Sequence, residues 1–209
     1  MKLKYIIGAI LASTMLVAGC TTDKGEIEDY NEKVQKAFDE EKPVSSVGKK
    51  LNSLEQDKQK LVEKINGKDQ AEVKDTSKKV VDNVEEREKT FKKEEEEAID
   101  NSEKEFEKAE KYVDNISDDD KKKEVTQLNQ ALKDKYKAHD EYAKAYKNIL
   151  NKEKDMFGYT SGDQVNQEQI DKKAEAVSKA YKNMNKAFEK YSDAMNKVNK
   201  EKEDIDNLS

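Results

Sequence analysis

The only cysteine of the chain, Cys20, ends a short segment that gives its thiol a specific chemistry. Residues 1–20 begin with two lysines near the N-terminus, continue as an uncharged apolar stretch and close with Val17-Ala18-Gly19-Cys20. A basic start and an apolar stretch too short to span a bilayer are typical of a secretory signal peptide. An aliphatic residue and two small residues directly before a cysteine are typical of its lipoprotein form. We expect cleavage after Gly19 and transfer of diacylglycerol to the Cys20 thiol; an ordinary secretory signal with a chance cysteine is the alternative.

A lipid on Cys20 would determine where the remaining chain resides. One acyl chain binds a membrane only marginally, at about 0.8 kcal/mol for each buried methylene, so two or three chains such as palmitate hold a protein there permanently. We therefore expect residues 1–19 to be removed and residues 20–23 to act as a lipidated tether. Residues 24–209 would form a single helical domain on the outer face of the cell membrane.

Other residue patterns that could do chemistry are few. His139 is the only histidine, and an acylated Cys20 is neither a nucleophile nor a metal ligand. Zinc sites and di-iron bundles use more nitrogen or sulfur ligands than this chain offers. The chain has no glycine-rich phosphate loop and no Gly-x-Ser-x-Gly motif. Carboxylates are abundant, but long helical bundles seldom provide the cleft that glycoside hydrolysis needs. We expect no enzymatic activity, no cofactor and no metal site.

Composition excludes further partners. Charged residues make up 42% of the chain, and both signs are interspersed. Removing the two lysines of the signal peptide leaves 41 − 2 = 39 basic residues against 47 acidic ones, a net charge of −8. Nucleic-acid binding needs a basic face, and a negative chain is not drawn to anionic wall polymers by charge. The bias towards Lys, Asn, Asp and Glu favours a Gram-positive source of low GC content.

Apolar periodicity predicts the elements that position these residues. One proline and seven glycines in 209 residues favour helix almost throughout. Steps of three and four residues define helices over about 24–66 with a kink near Pro43, 69–115 with a change of register near 94–98, 118–157 and 164–206. Four segments of similar length, joined by short loops, predict an all-α, elongated up-and-down antiparallel four-helix bundle. The alternative is three long helices plus an N-terminal helical arm broken at Pro43.

The apolar stripe of the third helix is interrupted by polar residues. It includes Lys135, His139 and Glu153, and antiparallel pairing with the second helix would place His139 level with about Glu94. We interpret this level as a buried polar layer that fixes helix register at a cost in stability. A satisfied core histidine is the alternative. Columns of alanines seven residues apart on the third and fourth helices predict that these two helices pack tightly, which leaves no room for the cavity of a solute-binding protein.

Tyrosines offer a second candidate surface. Most of them lie on the apolar stripes, where rings are buried and hydroxyls reach the rim. Tyr136 flanks its stripe and Tyr159 lies in a predicted loop. These two are therefore the candidates for exposed contacts with a glycan.

The layout of the chain resembles a known family. A lipobox ending at Cys20, followed by about 190 residues of Lys/Glu-rich four-helix pattern, is similar to the YkyA-type family of cell-wall-binding lipoproteins from Gram-positive bacteria. The resemblance implies a surface location and binding to peptidoglycan or a wall polymer, and only Cys20 carries over as a functional residue. The alternative function is a scaffold or accessory lipoprotein for another envelope protein, which would need an exposed apolar strip.

Overall fold

The computed structural model describes residues 23–65 and 67–206. Within these residues the chain is helical and contains no strand. The helices are α1 (Lys24–Glu40), α2 (Val44–Ile65), α3 (Gln70–Thr90), a π-helical turn (Phe91–Glu96), α4 (Glu97–Val113), α5 (Asp119–Thr160) and α6 (Gln167–Asp206). Cys20 and the predicted signal peptide lie outside the described residues.

These helices form an antiparallel bundle with four arms. The first arm is α1 and α2, and the second is α3, the π-helical turn and α4. In this arrangement α1 packs against α4, α2 against α3, α3 against α5, and α5 against α6. The predicted up-and-down four-helix bundle is thus confirmed. The break at Pro43 that the alternative expected is present, since a turn separates α1 from α2, but α1 is part of the bundle, because its Ile27, Tyr30 and Val34 are buried in the core.

The bundle has two distinct ends. At the proximal end, as we call it, the Asp23 carboxylate accepts a hydrogen bond of 2.8 Å from the backbone N–H of Asp118. At the distal end, the Lys74 ammonium lies 2.5 Å from the Asp163 carboxylate. Gly67 lies at this distal end with φ of 75°, a left-handed conformation that glycine adopts without strain. The chain therefore enters the bundle at the proximal end and turns between arms at both ends.

Two local features divide the first two arms. Pro43 lies in a short turn between α1 and α2, and its carbonyl accepts hydrogen bonds from the backbone N–H groups of Ser46 and Val47. The π-helical turn begins at Phe91 and adds a residue to one turn, which shifts the buried face between α3 and α4. That shift lies where the periodicity predicts a change of register.

Some helix ends differ from the expected positions. The N-cap of α3 is Asp69, whose side chain accepts from the Glu72 N–H at 2.9 Å. The N-cap of α5 is Asp118, whose carboxylate accepts from the Lys121 N–H at 3.0 Å. Residues 158–160, expected in a turn, are the last residues of α5.

Within the described ranges, no helix combines the length and apolar character needed to cross a bilayer.

Candidate binding cleft and buried polar clusters

A network of charged side chains is buried in the distal half of the bundle. We call it the Arg87 cluster, and it joins α2, α3, α5 and α6 through Glu55, Lys58, Arg87, Glu153 and Tyr181. Arg87 is 0% exposed and Glu153 is 1% exposed. Two cations face two carboxylates, so the cluster is balanced in charge.

Hydrogen bonds link the cations of the cluster to both of its carboxylates. The Lys58 ammonium donates its three protons to Glu55 at 2.5 Å, to Glu153 at 2.6 Å and to the Tyr181 hydroxyl at 2.5 Å. The Arg87 guanidinium spans both carboxylates, with Nη1 donating to Glu55 at 2.5 Å and Nη2 donating to Glu153. The Tyr181 hydroxyl lies 2.5 Å from Glu153 and donates to it. Pairing of each buried cation with both carboxylates is what makes this buried charge tolerable.

The electrostatics of the cluster follow from this pairing. Burial acts to raise the pKa of the Glu153 carboxyl, but Arg87 and Lys58 outweigh it and lower the pKa below the usual value. Burial acts to lower the pKa of Arg87, and Glu153 with Glu55 more than reverses this. Burial and the same two carboxylates raise the pKa of Tyr181. Glu153 therefore stays ionised and Tyr181 stays a hydrogen-bond donor.

A second network, the Lys135 cluster, lies between α1, α4 and α5 and consists of Glu41, Ser102, Lys135 and Tyr136. Lys135 is 0% exposed, and its ammonium donates to the Glu41 carboxylate. Ser102 donates to the same carboxylate and lies 2.7 Å from the Tyr136 hydroxyl. Burial lowers the pKa of Lys135, with Glu41 opposing the shift. This cluster has one cation and one carboxylate.

The predicted polar level at His139 is present, and Glu95 belongs to it. His139 is 2% exposed, and its Nε2 lies 3.7 Å from a carboxylate oxygen of Glu95, the neighbour of the expected Glu94. At this distance Nε2 makes no hydrogen bond. The imidazole instead packs at ring-centroid distances of 5.2 Å from Tyr191 and 6.1 Å from Tyr142. Polar groups thus lie at mid-height, but the strong pairing is in the clusters on either side.

A cleft of about 300 Å³ opens beside the Arg87 cluster, between α2, α5 and α6. Its floor is formed by four members of the cluster, Glu55, Lys58, Glu153 and Tyr181. The walls of the cleft are apolar and are formed by Val62, Met156, Phe157, Ala174 and Val177. Its rim carries two uncharged polar side chains, Gln59 and Ser178. The volume is at the lower end of the range for small-molecule sites.

This cleft departs from the tight packing expected along α6. Ile170, Ala174 and Val177 continue the apolar stripe of that helix, yet Ala174 is exposed and the other two are half-buried. Towards the C-terminus of α6 the same stripe is buried, as at Met184 and Val198. The apolar stripe of α6 is present as predicted, but near its start it faces the open space of the cleft.

The two tyrosines proposed as exposed contacts are not available as surface rings. Tyr136 is 2% exposed and belongs to the Lys135 cluster. Tyr159 is half-buried, and its hydroxyl accepts from the Asn166 N–H at 2.9 Å. Sequence reasoning also missed Glu55 and Lys58, because two opposite charges three residues apart on a helix are common on surfaces and their spacing does not signal burial.

One group of carboxylates approaches the geometry of a cation site. Glu124, Glu201 and Asp204 each place a carboxylate oxygen within 4.8 Å of the others. Gln127 donates to Glu201 at 3.1 Å, so part of the group is already engaged. Acidic groups of this kind are common on charged bundles, and the three residues have no further feature that points to a metal.

Comparisons with known proteins agree with the fold. The chain is similar to a 1.6 Å crystal structure of a conserved protein of unknown function from Staphylococcus aureus, with a TM-score of 0.80 and 41% sequence identity. That similarity covers 92% of this chain and 100% of the other. No curated protein matches the chain. A family model, YkyA, described as "Putative cell-wall binding lipoprotein", matches residues 25–208. Because this match covers nearly the whole bundle, the chain belongs to the YkyA family of lipoproteins.

Proposed function

We propose that this protein is a non-enzymatic lipoprotein, held on the outer face of the cell membrane by acyl chains on Cys20, that binds the cell wall. The family description supports a wall-binding role, and the lipobox ending at Cys20 supports the anchor. Peptidoglycan or a wall polymer would be the ligand. The carboxylates that border the cleft, Glu55 and Glu153, are both engaged by Lys58 and Arg87, which does not favour a role as general acid or base.

The observation that carries the proposal is the position of the cleft relative to the predicted anchor. Cys20 precedes Asp23, which lies at the proximal end, whereas the cleft lies towards the distal end beside Glu153 and Phe157. At 1.5 Å rise per residue, the length of α5 is about 60 Å and Glu153 lies roughly 50 Å from its start. A bundle tethered at Cys20 can therefore present the cleft well away from the membrane, where the wall is.

Binding is tested by sedimentation with isolated walls. Residues 21–209 contain every described helix, and the crystallised relative spans most of the same length, so this fragment retains the bundle. We expect it to sediment with walls in a way that tolerates salt, because its net charge does not favour anionic polymers. A second preparation of cell walls, stripped of covalently attached polymer, distinguishes the two ligands. Sedimentation with the stripped walls indicates binding to peptidoglycan, and its loss indicates binding to the polymer. A protein that stays in the supernatant with both wall preparations contradicts the proposal.

The anchor is tested separately in cells. We expect the full chain to fractionate with membranes and the Cys20→Ala variant to be released from them or to remain unprocessed. Mass spectrometry of the native protein should find an acylated cysteine at the mature N-terminus. A bare thiol at Cys20 contradicts the anchor without affecting the wall-binding test.

A second function, as scaffold or accessory lipoprotein for an envelope protein, is favoured by the apolar walls of the cleft. Exposed Ala174 and half-buried Val62 and Val177 present apolar surface that a protein side chain could cover. This function predicts that cross-linking in cells recovers one specific protein at these positions. Recovery of wall fragments instead favours the first function.

A further inference from the structure

The residues that line the cleft beside the Arg87 cluster restrict what it can bind. Its floor is polar but already satisfied: Lys58 has used its three protons and Arg87 spans both carboxylates. The two positive and two negative charges balance. The floor therefore exerts little net attraction on a phosphate polymer or on a free cation.

The side chains that line the sides of the cleft disfavour a second class of ligand, the glycans. Sugar rings are commonly bound against accessible aromatic faces, as aromatic side chains combine large apolar area with a polar handle. Here the wall residues Val62, Ala174 and Val177 are aliphatic, and the aromatic lining residues, Phe157 and Tyr181, are both buried. The cleft thus offers small aliphatic surfaces rather than a stacking platform.

The rim supplies the remaining recognition groups. Gln59 on α2 and Ser178 on α6 line the cleft; Gln59 is exposed and Ser178 is half-buried. The amide of Gln59 carries both donors and an acceptor, so it can pair with the C=O and N–H of a peptide group. Ser178 offers a hydroxyl that can donate or accept. These are uncharged groups that match an uncharged backbone.

We propose that the cleft binds the peptide part of the cell wall. The bound segment would be short and carry small aliphatic side chains, and its backbone would pair with Gln59 and Ser178. This inference rests on the proposed wall-binding function and names the component that is recognised. Aliphatic side chains of the ligand would pack on Val62 and Val177. The glycan strands and anionic polymers of the wall would not enter the cleft.

The test is an NMR titration of residues 21–209 with three soluble probes. These are a synthetic wall pentapeptide ending in two alanines, a chito-oligosaccharide and a poly(glycerol phosphate). We expect only the peptide to shift the side-chain amide signals of Gln59 and the methyl signals of Val62, Met156 and Val177. Shifts at these positions with either of the other two probes, and not with the peptide, overturn the proposal.

Matched variants make the test specific. Gln59→Ala should weaken the affinity for the peptide about tenfold, which is the effect of losing one or two hydrogen bonds. Gln56→Ala, also exposed on α2 but outside the cleft, should leave the affinity unchanged. Ala174→Trp should fill the cleft and abolish binding, whereas Ala71→Trp, at an exposed alanine of α3, should not. Equal affinities for Gln59→Ala and Gln56→Ala contradict the assignment.

The outcomes separate this proposal from the proposed function. If the protein sediments with walls but Gln59→Ala and Ala174→Trp sediment equally well, the wall is bound elsewhere and the cleft assignment fails. If the unaltered protein does not sediment with walls, the proposed function fails, whatever the peptide titration gives.

Discussion

The proximal half of the bundle buries the ion pair of Lys135 and Glu41, whereas the distal half places two cations and two carboxylates, those of the Arg87 cluster, beside a cleft. In the proximal half, Lys135 and Glu41 lie between α1, α4 and α5, and Lys135 is wholly buried. In the distal half, Arg87 is equally buried, but Lys58 and Glu55 border a space of about 300 Å³. Buried charge next to an opening has a dual role, because the groups that join the helices also form the floor of a site.

The largest expected effect is on the Arg87 cluster. Arg87→Met leaves Glu55 and Glu153 buried with Lys58 as their only cation, and we expect a loss of about 3–5 kcal/mol in the free energy of unfolding. Arg87→Lys keeps the charge without the planar fork and should lose less. Chemical denaturation monitored by circular dichroism measures both. A loss under about 1 kcal/mol for Arg87→Met would show that this cluster does not hold the distal half together.

The Lys135 cluster should respond less strongly. Lys135→Met removes the only cation of that cluster, but Glu41 keeps the hydroxyl of Ser102, and burial already disfavours the charged form of Lys135. We expect a loss of about 1–3 kcal/mol. The double variant Lys135→Met/Glu41→Gln should recover part of it, because no unpaired charge is left. A loss larger than that of Arg87→Met would reverse the ranking of the two halves.

Acid should weaken the distal half through Glu153. Its pKa in the folded protein lies below the usual 4.5, so the unfolded chain binds more protons than the folded one in this range. The stabilisation by Glu153 is present above the unfolded pKa and is lost as the pH falls through the folded one. Free energies of unfolding measured from about pH 6 to pH 3 should therefore decrease, and less steeply for Glu153→Gln. Glu168→Gln, on the exposed surface of α6, is the control and should keep the original slope.

Sequence patterns predicted the helices better than the space between them. The steps of three and four residues located the four arms, and Pro43 and the change of register near residue 94 located their interruptions. The same stripe marked Lys135 and His139 as core positions, since periodicity depends only on position along one helix. Which groups meet across helices depends on register between arms, and the partner of Lys135 proved to be Glu41 on the first arm.

The cleft could not be predicted because it depends on how the helices are spaced, which no single helix determines. Ala174 and Val177 have the spacing of buried residues, and nothing in their order along α6 indicates that they face an open space between α2, α5 and α6. Likewise Glu55 and Lys58 read as ordinary surface charges at a spacing of three residues. They are buried because α5 and α6 bring Glu153 and Tyr181 to them.

The smallest expected effect on stability is that of enlarging an alanine in the cleft, and a fully buried alanine of α5 serves as the comparison. Ala174→Leu enlarges a side chain that faces open space, so we expect a change within about 0.5 kcal/mol in the free energy of unfolding. Ala131→Leu makes the same change at a fully buried position of α5 and should cost about 1–3 kcal/mol through overpacking. Thermal denaturation of the two variants measures the difference. Equal losses of stability for the two variants would mean that α6 closes over the cleft in solution. The side chains that line the cleft would then already be in contact, and a peptide could not enter.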